Sequence, residues 1–531
     1  MVPKRLWISP KSTPFSATRR VLWSDPVFRR PGGISMTGPT PRTLAPTVVP
    51  GEPWARPPFP ACIGGQLTLR GQTGQFLAER HGTPLFVYDA ARITDSLGRL
   101  RTALDRHHPA TRIAFAAKAC GLRAVLELMR AEGADIEVNS GGELEKARLA
   151  GFHADQIVFN GVAKTDAELA TAIAGGVGAI NIDSVHELRR VATLARAIGR
   201  AANVALRLVP DLTGGTAPGQ ETGGAATKFG CTPGELPALA AVLKDAGADI
   251  TLVGVHVHAG SQITVTATFA AIGARVVELA RLVAHTTGLR VPSVNVGGGL
   301  PVGYIAAPAP DAVPAYLHAA IDAEAVAAAL LQPIREGLGP DVTVIVEPGR
   351  SLVADAAVLL TRVVNAKARE GTRWLLLDAG FNVMGDQFAY KWYFHMINAT
   401  RADRPHDTPF RVGGPLCDGG DVFFDVDGET QFAALLDAVP DLADQSALLR
   451  RLLVRLPSHR ALPATTDVGD VLCLLDVGAY GVDQVTAYNG RPAPAVVMLD
   501  SAGRDHVIRR AQTVADLMVH DTGWPPPSSS M

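Results

Sequence analysis

Short, mostly apolar runs recur along the chain from about residue 111 to residue 347, and each stops at a polar side chain or a glycine. Runs of that length suit buried strands, whereas the stretches between them carry apolar residues at the three-to-four spacing of amphipathic helices. The pattern predicts strand 113–118 before helix 123–131, strand 135–139 before helix 142–150, and strand 157–160 before helix 166–174. It continues with strand 179–183 before helix 186–198, strand 204–209 before a long Gly/Thr-rich loop, and strand 253–258 before helix 266–285. Strand 293–296 runs into three glycines, and strand 343–347 into Pro348-Gly-Arg350. Eight strands with helical segments between them predict an α/β fold, a (β/α)8 barrel of the TIM type.

Beyond Arg350 the alternation changes. Segments 357–368, 374–378, 410–412, 471–475 and 495–499 read as strands without crossover helices, which predicts a C-terminal, mostly β domain over 356–531. It is interrupted at about 429–458 by Leu, Val and Ala at helical spacing with a basic Arg450-Arg451 pair. We read that stretch as an inserted helical hairpin, either surface decoration or a lid or docking face. Ahead of the barrel (91–355), the alternating run 66–70 and the run 85–88 read as strands flanking a short helix at 74–81. The segment 57–90 is therefore expected to pair with the β domain. Residues 1–56 hold many prolines and nine Lys or Arg against two acids. They read as a disordered extension, or as the product of a start codon upstream of Met36; an Arg-rich, acid-poor leader also fits an organelle transit segment.

Composition narrows the partners. Fifty basic residues balance 51 acids, so charge gives no sign of nucleic-acid or membrane binding. Cys62, Cys120, Cys231, Cys417 and Cys473 lack paired spacing, which suggests neither a metal site nor a disulfide framework. With no run long enough to span a membrane and no apolar signal core, a cytoplasmic protein is expected.

Chemistry enters at the strand ends. Lys118, Glu137, Asn160, Asp183, Arg207, His258, Gly297–Gly299 and Glu347 all fall at or near the C-terminal ends of barrel strands. One lysine at a strand end can simply snorkel to water. Eight such endings on the rim where barrel active sites form point to one shared site. Lys118 then becomes the candidate Schiff-base lysine of a pyridoxal-phosphate site.

Read in order, the local motifs are Ala117-Lys-Ala119, Ser140-Gly-Gly-Glu-Leu144, Thr227-Lys-Phe-Gly230 and His256-Val-His-Ala-Gly-Ser-Gln262. They continue with Gly297-Gly-Gly-Leu300, Glu347-Pro-Gly-Arg350, Gly414-Pro-Leu-Cys-Asp418 and Gly478-Ala-Tyr-Gly481. From about residue 83 to 517 the chain resembles the fold-type III pyridoxal-phosphate decarboxylases, the group holding diaminopimelate, ornithine and arginine decarboxylases, with the first of these nearest. The resemblance implies that Lys118 holds pyridoxal 5'-phosphate, that Glu347 faces its pyridine nitrogen and that His258 stacks on its ring. It further implies that Gly297, Gly298 and Gly299 close on the phosphate with Ser261 and Tyr480, and that Glu137 and Arg207 lie near the cofactor. Arg350 would serve the phosphate or a substrate carboxylate, and Cys417 would protonate the carbanion from a neighbouring subunit of a head-to-tail homodimer.

Departures from the family pattern concern the substrate. Glu137 stands where an aspartate is usual, Asp386 where diaminopimelate decarboxylases carry an arginine four residues before Tyr390, and Asp418 where a glutamate is usual. With Arg350, Asp386, Tyr390, Asp418 and Tyr480 as substrate-binding residues, a diamino or basic amino acid of the lysine or ornithine type is expected. Diaminopimelate itself and a conjugated or carrier-bound amino acid are the alternatives within decarboxylation. An amino-acid racemase or a catalytically silent regulator are the alternatives outside it. No metal is expected.

Overall fold

The computed structural model describes residues 54–212, 216–217, 219–224, 226–304, 315–317 and 322–523. Eight parallel strands close into a barrel: Thr111–Ala116, Asp135–Val138, Ile157–Phe159, Ala179–Ile182, Ala202–Arg207, Ile250–His256, Ser293–Asn295 and Thr343–Val346. Closure is made where Val346 pairs beside Ile113. Small residues (Ala114, Val158, Ala179) pack inside the barrel, while the larger core fills the space between strands and surrounding helices. The strands sit within two or three residues of the expected bounds; those carrying Lys118 and His258 and the one before the Gly/Thr-rich loop each end two residues early, at Ala116, His256 and Arg207.

One local device recurs at the functional rim. A serine caps the helix after a strand, and a glutamate in that helix's first turn reaches back to the strand-end backbone. Ser140 caps helix Gly141–Leu149 and Glu143 accepts from Asn139 N at 2.7 Å; Ser184 caps helix Val185–Ile198 and Glu187 accepts from Asp183 N at 2.8 Å. Each arrangement satisfies N–H groups that the helix start leaves without partners, and each fixes the strand-to-helix turn on which a rim residue stands.

The second sheet is organised on the long strand Ala357–Arg369, which pairs antiparallel with Thr372–Leu377, Val471–Leu474 and Leu85–Asp89. Leu85–Asp89 also lies parallel to Ala495–Leu499, so a strand from before the barrel joins the C-terminal sheet. The other N-terminal strand behaves differently. Gln66–Leu69 pairs with Ala61–Ile63 and Gln72–Thr73 in a small sheet of its own, not with the β domain's sheet. Its alternating apolar face still packs on that domain, where Leu67 and Leu69 are fully buried with Val358 and Leu360. Most of the extension expected over 1–56 lies outside the described residues; Trp54 is buried in that same core, and Arg56 pairs with Asp476. The inserted hairpin is present as helices Val426–Ala438 and Ser446–Leu453 around a turn at Pro440–Gln445. Among the described residues no helix is long and apolar enough to cross a membrane, and no cluster of His, Cys, Asp or Glu is arranged for a metal.

Candidate active site

Lys118 stands on a short turn, Ala117–Ala119, just past the first barrel strand. Its side chain is half-exposed to a cavity of about 410 Å3, whose wall includes His258, Ser261, Gly299, Glu347, Arg350 and Tyr480. Burial alone would lower the Lys118 ammonium, but Glu137, Tyr480 and Glu347 outweigh it and hold the group above its ordinary value.

Glu347 is the most heavily bonded acid in the site. Asn295 Nδ2 donates to it at 2.7 Å, Asn160 Nδ2 at 3.2 Å and His256 Nε2 at 3.3 Å. Burial would raise this carboxyl, yet His256, Lys118 and the Asn295 bond pull it down to about 2, so it stays anionic. Glu137 is fully enclosed and lies 3.8 Å from Lys118 Nζ; burial pushes it up to about 7 against the pull of Lys118.

The three glycines form a close-fitting wall. A β-carbon on Gly298 would sit 2.2 Å from the Glu347 carbonyl oxygen, and one on Gly299, at φ +97, would sit 2.4 Å from the Gly260 oxygen. Only glycine permits that approach; Gly297 N donates to Asn295 Oδ1 at 2.9 Å, and of the three glycines Gly299 lines the cavity. Gly298 N donates to His258 Nδ1 at 3.2 Å, which fixes the ring of His258 at the cavity wall. Burial first, then Lys118 and Arg207, hold His258 well below the usual histidine range, so its ring is neutral. Tyr480 arrives from the β domain at φ +61, a costly conformation for a tyrosine, and is held by its N–H to Ala119 O at 2.8 Å.

Arg350 is enclosed by aromatic rings, 4.3 Å from Trp392 and 4.6 Å from Tyr480, and donates to Tyr304 at 2.9 Å. Asp386 lies 3.8 Å from it and accepts from Gln484 at 2.8 Å. Within the fold Arg350 is the counter-charge of Asp386. Tyr390 is 37 % exposed at the cavity edge. Arg207 does not line the cavity: its guanidinium is 3.7 Å from Asp183 and packs on Phe229, which does.

Cys417 and Asp418 are not brought to this cavity. Asp421, buried, accepts from Leu416 N at 2.7 Å and Phe381 N at 2.8 Å, folding the loop so that Cys417 is exposed. Cys417 N donates to Asn489 at 2.7 Å.

Sequence reading missed Asn295, His256, Asn181, Tyr304, Trp392, Gln220 and Gln484, and gave Asn160 no task. A signal existed for two of them: in a strand, residues two apart share a face, so His256 and Asn295 sit under His258 and Gly297.

A lysine, a glutamate held anionic and a glycine turn under one barrel rim fit a pyridoxal-phosphate site on the barrel-plus-β plan. The residues at the cavity wall fit that cofactor: Lys118 Nζ could form the covalent link, Glu347 could face the pyridine nitrogen, and Ser261 and the turn at Gly299 could receive the phosphate. Residues 91–354 match the family described as pyridoxal-dependent decarboxylase, pyridoxal binding domain. The chain is 32 % identical to a diaminopimelate decarboxylase of Zymomonas mobilis over 83 % of its own length and 93 % of the relative's. It is also 32 % identical to that of Methanocaldococcus jannaschii, over 86 % and 95 %. The crystal structure of the M. jannaschii diaminopimelate decarboxylase superposes with a TM-score of 0.74, 30 % identity, and 88 % and 98 % of the two chains covered. The chain belongs to the pyridoxal-dependent decarboxylase family and is a pyridoxal-phosphate-dependent amino-acid carboxy-lyase. That sets aside the racemase and the silent regulator.

Proposed function

We propose that the chain removes the α-carboxylate of a diamino acid in the cavity above Lys118, with Lys118, Glu347, His258, Ser261, Tyr480 and Gly297–Gly299 holding the cofactor. The observation that carries this reading is the pairing of Lys118 with an acid pinned anionic, Glu347, at one cavity wall. Bound there, pyridoxal phosphate supplies the electron sink for the pair left by departing carbon dioxide. Glu347, held anionic by three donors, keeps the pyridine nitrogen protonated. Arg350 orients the substrate, and the aromatic rings around it exclude water.

Cys417 is the proposed proton donor to the α-carbon, acting on the cavity of a second subunit with Asp418 beside it. Its exposure and its distance from the lining of its own chain's cavity support a homodimer with shared sites. A cytoplasmic location accords with five cysteines that lack the paired spacing of a disulfide framework.

The relatives are named for diaminopimelate, which ends in both an ammonium and a carboxylate. We favour a purely cationic tail, of the lysine or ornithine type. Asp386 Oδ2 accepts no hydrogen bond and faces Arg350 at 3.8 Å, so a substrate carboxylate would have to draw Arg350 away and leave Asp386 buried without its counter-charge. The test is carbon dioxide release from meso-diaminopimelate, lysine, ornithine and arginine, together with borohydride reduction and peptide mapping. Attachment of the cofactor at Lys118 and release from a diamino acid are expected; attachment at another lysine would overturn the assignment.

A further inference from the structure

Two buried carboxylates below Lys118 share one amide. Asn160 Nδ2 donates to Glu137 Oε1 at 2.7 Å and to both oxygens of Glu347 at 3.2 Å. The two acids are otherwise unequal. Glu347 has Asn295 and His256 as further donors, whereas Glu137 Oε2 accepts no hydrogen bond and faces Lys118 Nζ at 3.8 Å. The charged groups acting on Glu137 are Lys118, Glu347 and Glu143, and Glu137 in turn acts on Arg207. A saturated carboxylate is held in its ionised form, while an enclosed one with a bare oxygen beside an amine can carry the proton itself.

We propose that Glu137 is the acid–base partner of Lys118, storing the proton that Nζ gives up when Lys118 is covalently engaged and returning it when Lys118 is displaced. The exchange balances within the pair: Lys118 ammonium and Glu137 carboxylate become Lys118 amine and Glu137 carboxylic acid. The pair's net charge does not change, nothing is oxidised or reduced, and no proton needs to leave the enclosed site. Glu347 remains anionic throughout. The position of Glu137, driven by burial to about 7, allows the exchange at neutral pH. This inference rests on Lys118 as the cofactor lysine, but it concerns a different residue and a separable event.

Infrared difference spectroscopy of the full-length chain, cofactor-loaded minus cofactor-free, reads the stored proton directly. Loading is expected to produce one carboxylic-acid C=O stretch that moves in deuterium oxide, is absent in Glu137→Gln and persists at a shifted frequency in Glu137→Asp. No such band in the native chain, or an unaltered band in either variant, overturns the proposal. A second readout needs no cofactor. In the cofactor-free chain, the pH dependence of Lys118 acylation, followed by mass spectrometry, should move down by about one pH unit or more in Glu137→Gln; an unmoved profile is equally fatal. Borohydride mapping separates the two failures: cofactor fixed to another lysine sinks the site assignment, whereas cofactor on Lys118 without the band sinks only the role of Glu137.

Discussion

Replacing Asn160 with leucine removes the donor that serves both acids while roughly keeping its volume. Nδ2 makes one bond to Glu137 and bridges Glu347, and its own oxygen accepts from Asn181. Hydrogen bonds to charged groups contribute about 1.5–3 kcal/mol each, so losing two should destabilise the cofactor-free protein by about 3–6 kcal/mol. That is a large share of the roughly 5–15 kcal/mol that holds a folded protein together.

The loss should also depend on pH, with a definite sign. Glu137 titrates at about 7 in the fold against an ordinary value of 4.5, so burying it favours the folded state at low pH. That contribution fades as pH rises from 4.5 to 7 and levels off above. Without Asn160 the carboxyl moves higher still, and the variant should go on losing stability above pH 7, by about 1.4 kcal/mol for each further pH unit that the carboxyl climbs. The contribution of Glu347 has the opposite pH dependence, yet its loss also makes the variant's deficit smaller in acid. Its carboxyl lies at about 2, so its stabilising contribution is present above 4.5 and shrinks as pH falls, which reduces what the variant can lose in acid. Urea unfolding at pH 5.5 and pH 8 measures both effects. A deficit under about 1 kcal/mol at pH 8, or one that is equal at the two pH values, would refute the reading of Asn160 as the shared donor.

Two further outcomes bear on the site. A Lys118→Ala chain mixed with a Cys417→Ala chain should regain activity if each site is built from two subunits, with up to about a quarter of sites intact at random, equal reassortment; no recovery with exchange demonstrated would place the whole site in one subunit. Steady-state kinetics should favour lysine over meso-diaminopimelate, and Asp386→Arg should shift that preference toward diaminopimelate by about tenfold, roughly 1.4 kcal/mol. A native preference for diaminopimelate of that size would dispose of the cationic tail.

The barrel and its rim were legible because both are written locally. A short apolar run ending in Lys118, Glu137 or Glu347 declares a strand and its functional end within a few residues, and the motif around each repeats that information. Partnership is not local. Nothing near Asn160 says that its amide will lie between acids 23 residues before it and 187 residues after it. Gln66–Leu69 failed for a related reason: period-two alternation identifies a strand but not the sheet it joins, and this one found nearer partners at Ala61–Ile63 and Gln72–Thr73.

The distal end of the cavity shows what such non-local pairing does to substrate choice. Read alone, Asp386 in an arginine's place is a reversal of charge, and it suggested a bare acid waiting for an ammonium. Arg350 comes from the end of the barrel and Asp386 from the β domain, and the fold sets them 3.8 Å apart. The pair is close to neutral, so the cavity does not attract cations through its net charge. Discrimination must come from which hydrogen-bonding groups remain unspent. Arg350 donates to Tyr304 and Gln220 and is flanked by Trp392 and Tyr480, while its Nε makes no hydrogen bond; a substrate carboxylate that engaged the guanidinium would do so beside the like charge of Asp386. Asp386 gives one oxygen to Gln484 and turns Oδ2, which accepts no hydrogen bond, toward Arg350 at 3.8 Å, so an ammonium that binds Oδ2 shares it with Arg350. A buried group left without its partner costs more than a solvated one, and a carboxylate that drew Arg350 away would leave Asp386 buried without its counter-charge; that cost, not the sign of one aligned residue, is what should favour the diamino tail.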